Sequence, residues 1–584
     1  MKKPVLSFFL LGIVLLLNAC GIKDYHVAPE KETTWSIEVE NKEPAIPGGT
    51  LNVSVVKDTP FDGFFQEEFS QDKYDAQLME PSNEKLFLTD DQFKIIDGGA
   101  ANLDLDIKNK TATITLRPHL KWSDGEAVTA DDVMFSYEVI GSPEYSGIRY
   151  DNNFMNIVGM SEYKAGKATT ISGIHKIDER TVQIHYYEMH PGMLQINGGV
   201  WSSVLPKHTL EHIPVKKMPQ SAAVRQHPVT LGPFYISKIE AGESVHYLPN
   251  PYYYKAQPHM KQLVFRRVTS ANSVQQLRDK AVDMILSMST DMYPAYKNIQ
   301  NYQLLGRAEQ AYTYLGFKLG KWDQANSRVV YQPESKMADK ALRQAMGYAI
   351  DNEAVGQRFY NGLRVLSTSL ITPVFGALHD SSLEGYTLNT QKAEQLLDDA
   401  GYKDLDGDGL REDKNGEQLV IHFAAIAGAE TAQLLADYYI QQWQEIGLDV
   451  QFTDGHLLDF QTFYNKLEQD APDIDIYQGA WGDMTNPSPT ELYGPNAPFN
   501  YTRFASKENT RLLKAIDSVA SFDEVKRKQA FDAWQAYAQD EAFVIPTLLR
   551  TEVLPVSNRV KDFKWSYGTE QNRWATVSVT SEER

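Results

Sequence analysis

Cysteine is nearly absent from this sequence, with one residue, Cys20, in 584. No disulfide can form within the chain, and a cysteine nucleophile or a cysteine-built zinc site is excluded from everything that follows position 20. Long apolar runs are equally scarce. The stretch from Val5 to Leu17 falls short of the roughly 20 residues that cross a bilayer, and no later segment has the length and apolarity of a transmembrane helix. Positive charge is in deficit: 57 Lys and Arg stand against 77 Asp and Glu, a formal net charge of −20. Such a chain repels nucleic acid and anionic headgroups, which leaves neutral, zwitterionic or cationic partners. Internal repeats and low-complexity tracts are also missing, and neither G-x-S-x-G nor G-x-G-x-x-G occurs.

What is present begins with a leader. Lys2 and Lys3, the apolar stretch and a small residue, Ala19, have the order of a secretory signal over residues 1–19. Leu17-Asn18-Ala19 runs straight into Cys20 and Gly21, which resembles the lipobox of bacterial lipoproteins, with Asn18 departing from the usual small or hydroxyl residue. That resemblance implies a diacylglyceryl group on Cys20, and two acyl chains suffice for a stable anchor. The alternative is an ordinary signal peptide with an incidental cysteine. Loss of the leader would remove Lys2 and Lys3 and take the charge from −20 to −22. Residues 21–47 are polar, charged and without periodicity, as expected of a flexible tether, and order is expected from Gly48.

From there the chain is long enough for two or more lobes. Strands are expected at Thr50 to Val56, Thr111 to Leu116, Thr181 to Tyr186, Ser244 to Leu248, Gln262 to Val268, Tyr312 to Leu319 and Leu419 to Ala424. Thr129 and Asp132 make a capping-box start for a helix carrying Val133, Tyr137 and Ile140. Asn389 caps a second helix that stops at Gly401. A third, through Leu435, Tyr439, Gln442 and Ile446, stops at Gly447 before the alternating Leu448, Val450 and Phe452. Helix, glycine and strand in succession define an α/β unit, so a largely parallel sheet is expected in the second half. The 31 tyrosines and 9 tryptophans offer broad amphipathic surface for a ligand groove, although cores use them too.

Catalytic patterns are few. His208-Thr209-Leu210-Glu211-His212 has the H-x-x-E-H order in which two histidines on one helical face hold zinc and Glu activates water. Pro206 and Pro214 leave room for only a short helix, and no third ligand can be identified. Asp404, Asp406, Asp408 and Gly409 reproduce the first half of a calcium loop, but Asn415 stands at the twelfth position, where a bidentate Glu is needed. A solvated Asp-Gly turn is the competing reading. No enzyme and no cofactor is expected.

The strand, proline-set turn and capped helix from Thr113 to Val139, with Leu116-Arg117-Pro118, Lys121-Trp122-Ser123-Asp124-Gly125 and Ala130-Asp131-Asp132-Val133, resembles the signature of the family 5 solute-binding proteins of ABC importers. Leu231-Gly232-Pro233-Phe234, Asn250-Pro251-Tyr252-Tyr253, Leu342-Arg343-Gln344-Ala345 and Ile545-Pro546 follow in that family's order. Phe61 to Asp97 and Pro495 to Phe504 look most like the oligopeptide receptors of Gram-positive bacteria. The resemblance implies an α/β, two-lobed periplasmic-binding-protein-like fold of the large, three-subdomain type, closing about a hinge. It implies residues 48–83, 186–290 and 550–584 as lobe I, 84–185 as an extra subdomain and 291–549 as lobe II. It also implies a monomeric receptor, lipid-anchored at the extracellular face of the cell membrane, that passes oligopeptides to the permease of an importer. Nickel chelates, glutathione or oligosaccharides are the alternative ligands, and a peptide signal the alternative cargo.

The family places an Asp for the peptide ammonium four residues before a Pro, which maps to Asp483 and Pro487. The same residue could instead cap a turn. By the same resemblance Trp481 walls a side-chain pocket, Gly479 and Gly482 let ligand backbone approach, Asn486 lies beside them, and Phe64 and Phe65 face the cleft from the other lobe.

Overall fold

The computed structural model describes residues 35–428, 431–482, 485–570 and 572–583. Cys20 and the leader lie outside them, as does Asp483. Among the described residues no helix is long and apolar enough to cross a membrane.

One sheet of eleven strands runs through the molecule. In the first half, Thr50–Val56 pairs in parallel with Gln262–Val268 on one side and Met284–Leu286 on the other. Ser244–Pro249 and Phe234–Glu240 extend that edge as an antiparallel hairpin. The alternation of Leu51, Val53 and Val55, each at most 1% exposed, drives the first strand into a core with Leu263, Phe265 and Trp574. In the second half Val420–Ala424 lies in parallel between Asp449–Phe452 and Ile476–Trp481. The third helix spans Ala432–Glu445, and Gly447 takes the left-handed conformation that turns the chain into the next strand. Its buried Trp443 donates from Nε1 to the Met346 carbonyl at 3.0 Å, tying it to the helix Lys340–Tyr348.

Two long antiparallel strands, Tyr302–Phe317 and Val544–Ser557, join the halves. Their pairing shifts register between Ala308 and Tyr312, a bulge at the middle of the crossing. Within the second half the sheet is therefore parallel only at its outer strands, because these two strands insert antiparallel neighbours. Alternation marks only the part of the first long strand after Tyr312. The strand expected at Tyr312 to Leu319 is thus the second part of a longer one that begins at Tyr302, where glycine, charge and amide interrupt the alternation.

A separate four-stranded antiparallel sheet is made by Ala101–Asp106, Thr111–Leu116, Thr181–His185 and Ile174–Asp178. Ala112, Ile114 and Leu116 face the helix Ala130–Gly141, whose capping box is formed: the Thr129 amide donates to Asp132 Oδ2 at 2.8 Å. Trp122 is 1% exposed, and Asp124-Gly125 closes the turn beside it, with the Gly125 amide on the Trp122 carbonyl.

Order begins earlier than Gly48. Residues 35–47 lie along the first half, where the Ser36 carbonyl accepts from Gly306, the Val39 amide donates to Phe563 and the Ile46 amide to Val579. Trp35 covers Gly306, where a Cβ would stand 2.4 Å from its ring. Composition hides this strap, because backbone pairing and three isolated apolar residues, Trp35, Val39 and Ile46, anchor it without a periodic face.

Candidate functional site

A cavity of about 790 Å³ opens beside the crossing strands. Its wall comes from the segment 66–93, from the loops around Ile196, Thr230 and Ser287, from Arg307, Glu309, Arg550 and Glu552 on the crossing strands, and from residues 567–574. Arg364 and Thr485 are the contributions of the second half.

The wall is rich in charge, and most of it is internally paired. The two crossing strands carry the same tripeptide pattern, Arg307-Ala308-Glu309 and Arg550-Thr551-Glu552. Antiparallel pairing sets each arginine against the other strand's glutamate: Arg307 Nε donates to Glu552 Oε2 at 2.9 Å, and Arg550 makes a two-pronged contact with Glu309. Arg307 also stacks over Trp565 and Tyr567, at 4.3 and 4.0 Å from the ring centroids. Elsewhere on the wall, Glu84 accepts from the Tyr253 and Tyr254 hydroxyls and from Lys255 at 3.0 Å. Glu80 accepts from Trp574 Nε1 and lies 3.6 Å from Arg573. Glu67 contacts Lys85 at 3.1 Å and Arg149 at 3.6 Å. Burial works to raise the Glu67 carboxyl, and those two cations outweigh it and hold it below the ordinary range.

A seam closes the cavity's far margin with bonds that each start from a side chain, without a backbone ladder. Arg527 Nη2 donates to Gln195 Oε1 at 2.9 Å with both residues buried, and Thr485 Oγ1 donates to the Ile196 carbonyl at 3.0 Å. Phe93 meets Phe375 edge-on at 6.1 Å, and Lys94 reaches Glu524 at 2.6 Å on the exposed rim. Burial draws the Arg527 guanidinium down to about 10.

The site residues singled out in the sequence, those among them that are described, fall outside this wall. Trp481 ends the strand Ile476–Trp481, stacked between Tyr314 at 6.3 Å and Tyr501 at 5.9 Å, with the exposed Phe499 edge-on at 6.0 Å. Gly479 is pressed on the Tyr314 ring, where a Cβ would stand 2.7 Å away, and Gly482 faces Ala311. Asn486 accepts from the Ser488 amide and lies against Gly192, across the seam. Phe64 packs under the Arg225 guanidinium at 4.0 Å, whereas Phe65 is 1% exposed in the core with Leu78 and Met79. The paired R-x-E tripeptides were the signal in the sequence for the crossing; they acquire meaning only once the two strands are known to be neighbours.

The histidine pattern resolves into packing. The helix holding it is one turn, Lys207–Leu210, and His208 Nε2 bonds Asp124 at 2.8 Å while its ring leans on Trp122. His212 points to solvent, 87% exposed. In the acidic loop, Asp404 accepts from the Gly407 and Gly409 amides, Asp406 from Asp408 and Asp408 from Leu410, the bonding of a self-supported turn.

Two long crossing strands, a cleft beside them and halves that clasp across it define a hinged binding protein. The chain belongs to the bacterial extracellular solute-binding proteins, family 5, whose middle-region model matches residues 95–502. It is 36% identical over 593 aligned positions to the oligopeptide-binding protein OppA of Lactococcus lactis subsp. cremoris, covering 100% of this chain and 98% of that one. Its structure is similar to that of lactococcal OppA complexed with an endogenous peptide in the closed conformation, with a TM-score of 0.75, 37% identity, and coverage of 91% of this chain and 100% of the other. The fold is also that of AppA from Bacillus subtilis in complex with a nonapeptide, with a TM-score of 0.66, 17% identity, and coverage of 92% and 100%. The architecture is the two-lobed, α/β periplasmic-binding-protein-like fold.

Proposed function

We propose that this chain is the extracellular receptor of an ABC importer, enclosing oligopeptides between its lobes and delivering them to the membrane permease. The observation that carries the reading is the full-length likeness to the lactococcal protein, including its peptide-bound closed form. The cavity agrees with it: about 790 Å³ lies in the upper part of the usual range of about 300–1,000 Å³ for ligand sites. Its paired charges leave the wall close to neutral, which suits a ligand held mainly by its backbone.

In this reading residues 48–83, 186–290 and 550–584 form lobe I with 84–185 as its extra subdomain, and 291–549 form lobe II. The crossing strands act as the hinge. Asp483 takes the peptide ammonium, with Trp481, Gly479, Gly482, Asn486, Phe64 and Phe65 around it on closure. A lipid on Cys20 holds the monomer at the outer face of the membrane, where confinement beside the permease raises its effective concentration. No metal, cofactor or nucleic acid enters, and no bond of the ligand is made or broken.

Mass spectrometry of material released from the purified native protein and from Asp483→Asn tests this. A ladder of peptides on the native protein is expected. The variant should bind a peptide from that ladder roughly thirtyfold or more weakly, as removal of a buried charge partner predicts. A single metal chelate or sugar on the native protein would overturn the peptide reading, and equal affinity in the variant would remove the ammonium role alone.

A further inference from the structure

Among the buried acids of the cavity wall, one departs from the pairing of charge. Glu67, Glu80, Glu84, Glu309 and Glu552 each have a basic side chain within 4 Å, and Asp291 is open to solvent. Glu68 is different. It is 1% exposed, it lines the cavity, and among the described residues no Lys, Arg or His forms an ion pair with it. Its Oε1 accepts from Trp201 Nε1 at 3.0 Å, and its Oε2 is buried with no hydrogen-bond partner. The surrounding structure fixes it in place. Its carbonyl accepts from the Tyr145 hydroxyl, and neighbouring Arg149 donates to the Glu67 and Ser70 carbonyls. A carboxyl held rigidly in the wall of a binding cavity, with half its acceptor capacity unused, is costly to bury unless another group completes it.

We propose that Glu68 is a selectivity residue of this cavity, the partner of a basic side chain of the bound ligand. The proposal rests on the peptide reading above and adds to it a preference for peptides with lysine or arginine at one position. An ammonium or guanidinium group would supply the missing donor to Oε2 and the missing countercharge in one contact. The ligand's terminal amine is a separate group, assigned above to Asp483.

The protonation of Glu68 supports the assignment. Burial pushes its carboxyl up to about 7, and the Trp201 hydrogen bond only partly opposes this. The charged groups facing it are Glu67, Lys85 and Arg149, with the Tyr145 phenol, and both cations are committed to Glu67. Without ligand, Glu68 is therefore close to half protonated at neutral pH. A cation binding beside it must drive the proton off when the pH is lower. Affinity for a basic peptide should strengthen as pH rises through about 7 and weaken below it, by at most roughly tenfold per pH unit. An uncharged peptide should lack this dependence.

The experiment starts from a neutral peptide found on the native protein, remade with lysine or with norleucine at each position in turn. Calorimetry on native protein and on Glu68→Gln compares the two series. At one position lysine is expected to bind the native protein tenfold or more tightly than norleucine, and the advantage is expected to shrink to within twofold in Glu68→Gln and to be largely kept in Glu68→Asp. No lysine preference at any position, or a preference that survives in Glu68→Gln, overturns the proposal. Should Glu68→Gln not fold, the native protein decides alone: a lysine advantage that rises through pH 7 sustains the proposal, and one that is flat with pH defeats it. If neither series binds at all, the peptide reading itself falls, an outcome distinct from peptides that bind without preference.

Discussion

The crossing strands and the seam both join the two halves, but one does so with backbone and the other with side chains. At the crossing, Tyr302–Phe317 and Val544–Ser557 share a ladder that passes from one half to the other, interrupted by the wide bulge after Ala308 and a one-residue shift after Thr313. At the seam, the strongest direct tie is Arg527 to Gln195, helped by Thr485 on the Ile196 carbonyl. A ladder cannot part without unfolding, whereas a few side-chain bonds can. The difference teaches where motion is cheap: the halves separate at the seam and pivot at the bulge, where the pairing is already interrupted. The charges follow the same division. Those at the crossing are paired across strands and stay so in any position of the halves, while the seam's Arg527 is committed only when the halves meet.

The largest effect should come from releasing the crossing from the first half. Asp283 precedes the strand Met284–Leu286, and its carbonyl accepts from Ser557 at the end of the second long strand. Its carboxylate, 0% exposed, is gripped by Arg559 through two bonds of 2.7 Å, and Arg559 also donates to the Thr50 carbonyl at 2.9 Å. Arg559→Ala strands a buried carboxylate and should cost about 3–5 kcal/mol of stability, read as a lowered midpoint in urea. A loss below about 1 kcal/mol would mean that the ladder needs no such anchor.

A smaller effect is expected at the seam. Arg527→Ala leaves Gln195 buried without its donor whenever the halves close, so the closed form should lose about 1–3 kcal/mol, a roughly 5- to 150-fold fall in peptide affinity. Small-angle scattering of the ligand-free variant should show a larger radius of gyration, with little change in the urea midpoint. Unchanged affinity would show that the seam follows closure without favouring it, and the contrast with the crossing would then rest on geometry alone.

Legibility in the sequence followed the same division between local and long-range causes. Thr50–Val56, Thr111–Leu116 and Gln262–Val268 stand where alternation puts them, and the helix ends at Gly401 and Gly447 coincide with left-handed glycines, because each signal is carried by neighbouring residues. Tyr302 to Ala311 was invisible as strand because its partner lies 240 or more positions away, at Thr551 to Ser557. The family signature around Trp122 disclosed the fold, and of its residues Trp122 alone reaches the cavity wall, since the others build the packed subdomain. Glu68 could not be read as special from Gln66-Glu67-Glu68, where it looks like one more surface acid. Only burial beside Trp201 distinguishes it from Glu67, one position earlier and paired to two cations.

The smallest effect belongs to the crossing's own ion pairs. Arg307 and Glu552 sit opposite each other at the cavity margin with side chains 17% and 34% exposed. Water screens such a pair, and its contribution should be about 0.2–1 kcal/mol. The single variants will not report this cleanly, because Arg307→Gln also removes the guanidinium from the faces of Trp565 and Tyr567, while Glu552→Gln leaves that stacking intact. Arg307→Gln should therefore cost more than Glu552→Gln, and a double-mutant cycle isolates the pair from the stacking. A coupling energy within the stated range that fades in high salt would confirm that the ladder, not its charges, carries the crossing. A coupling above about 2 kcal/mol, insensitive to salt, would instead make the two R-x-E tripeptides a lock that holds the hinge at one angle, and the bulge would no longer be the cheapest place to bend.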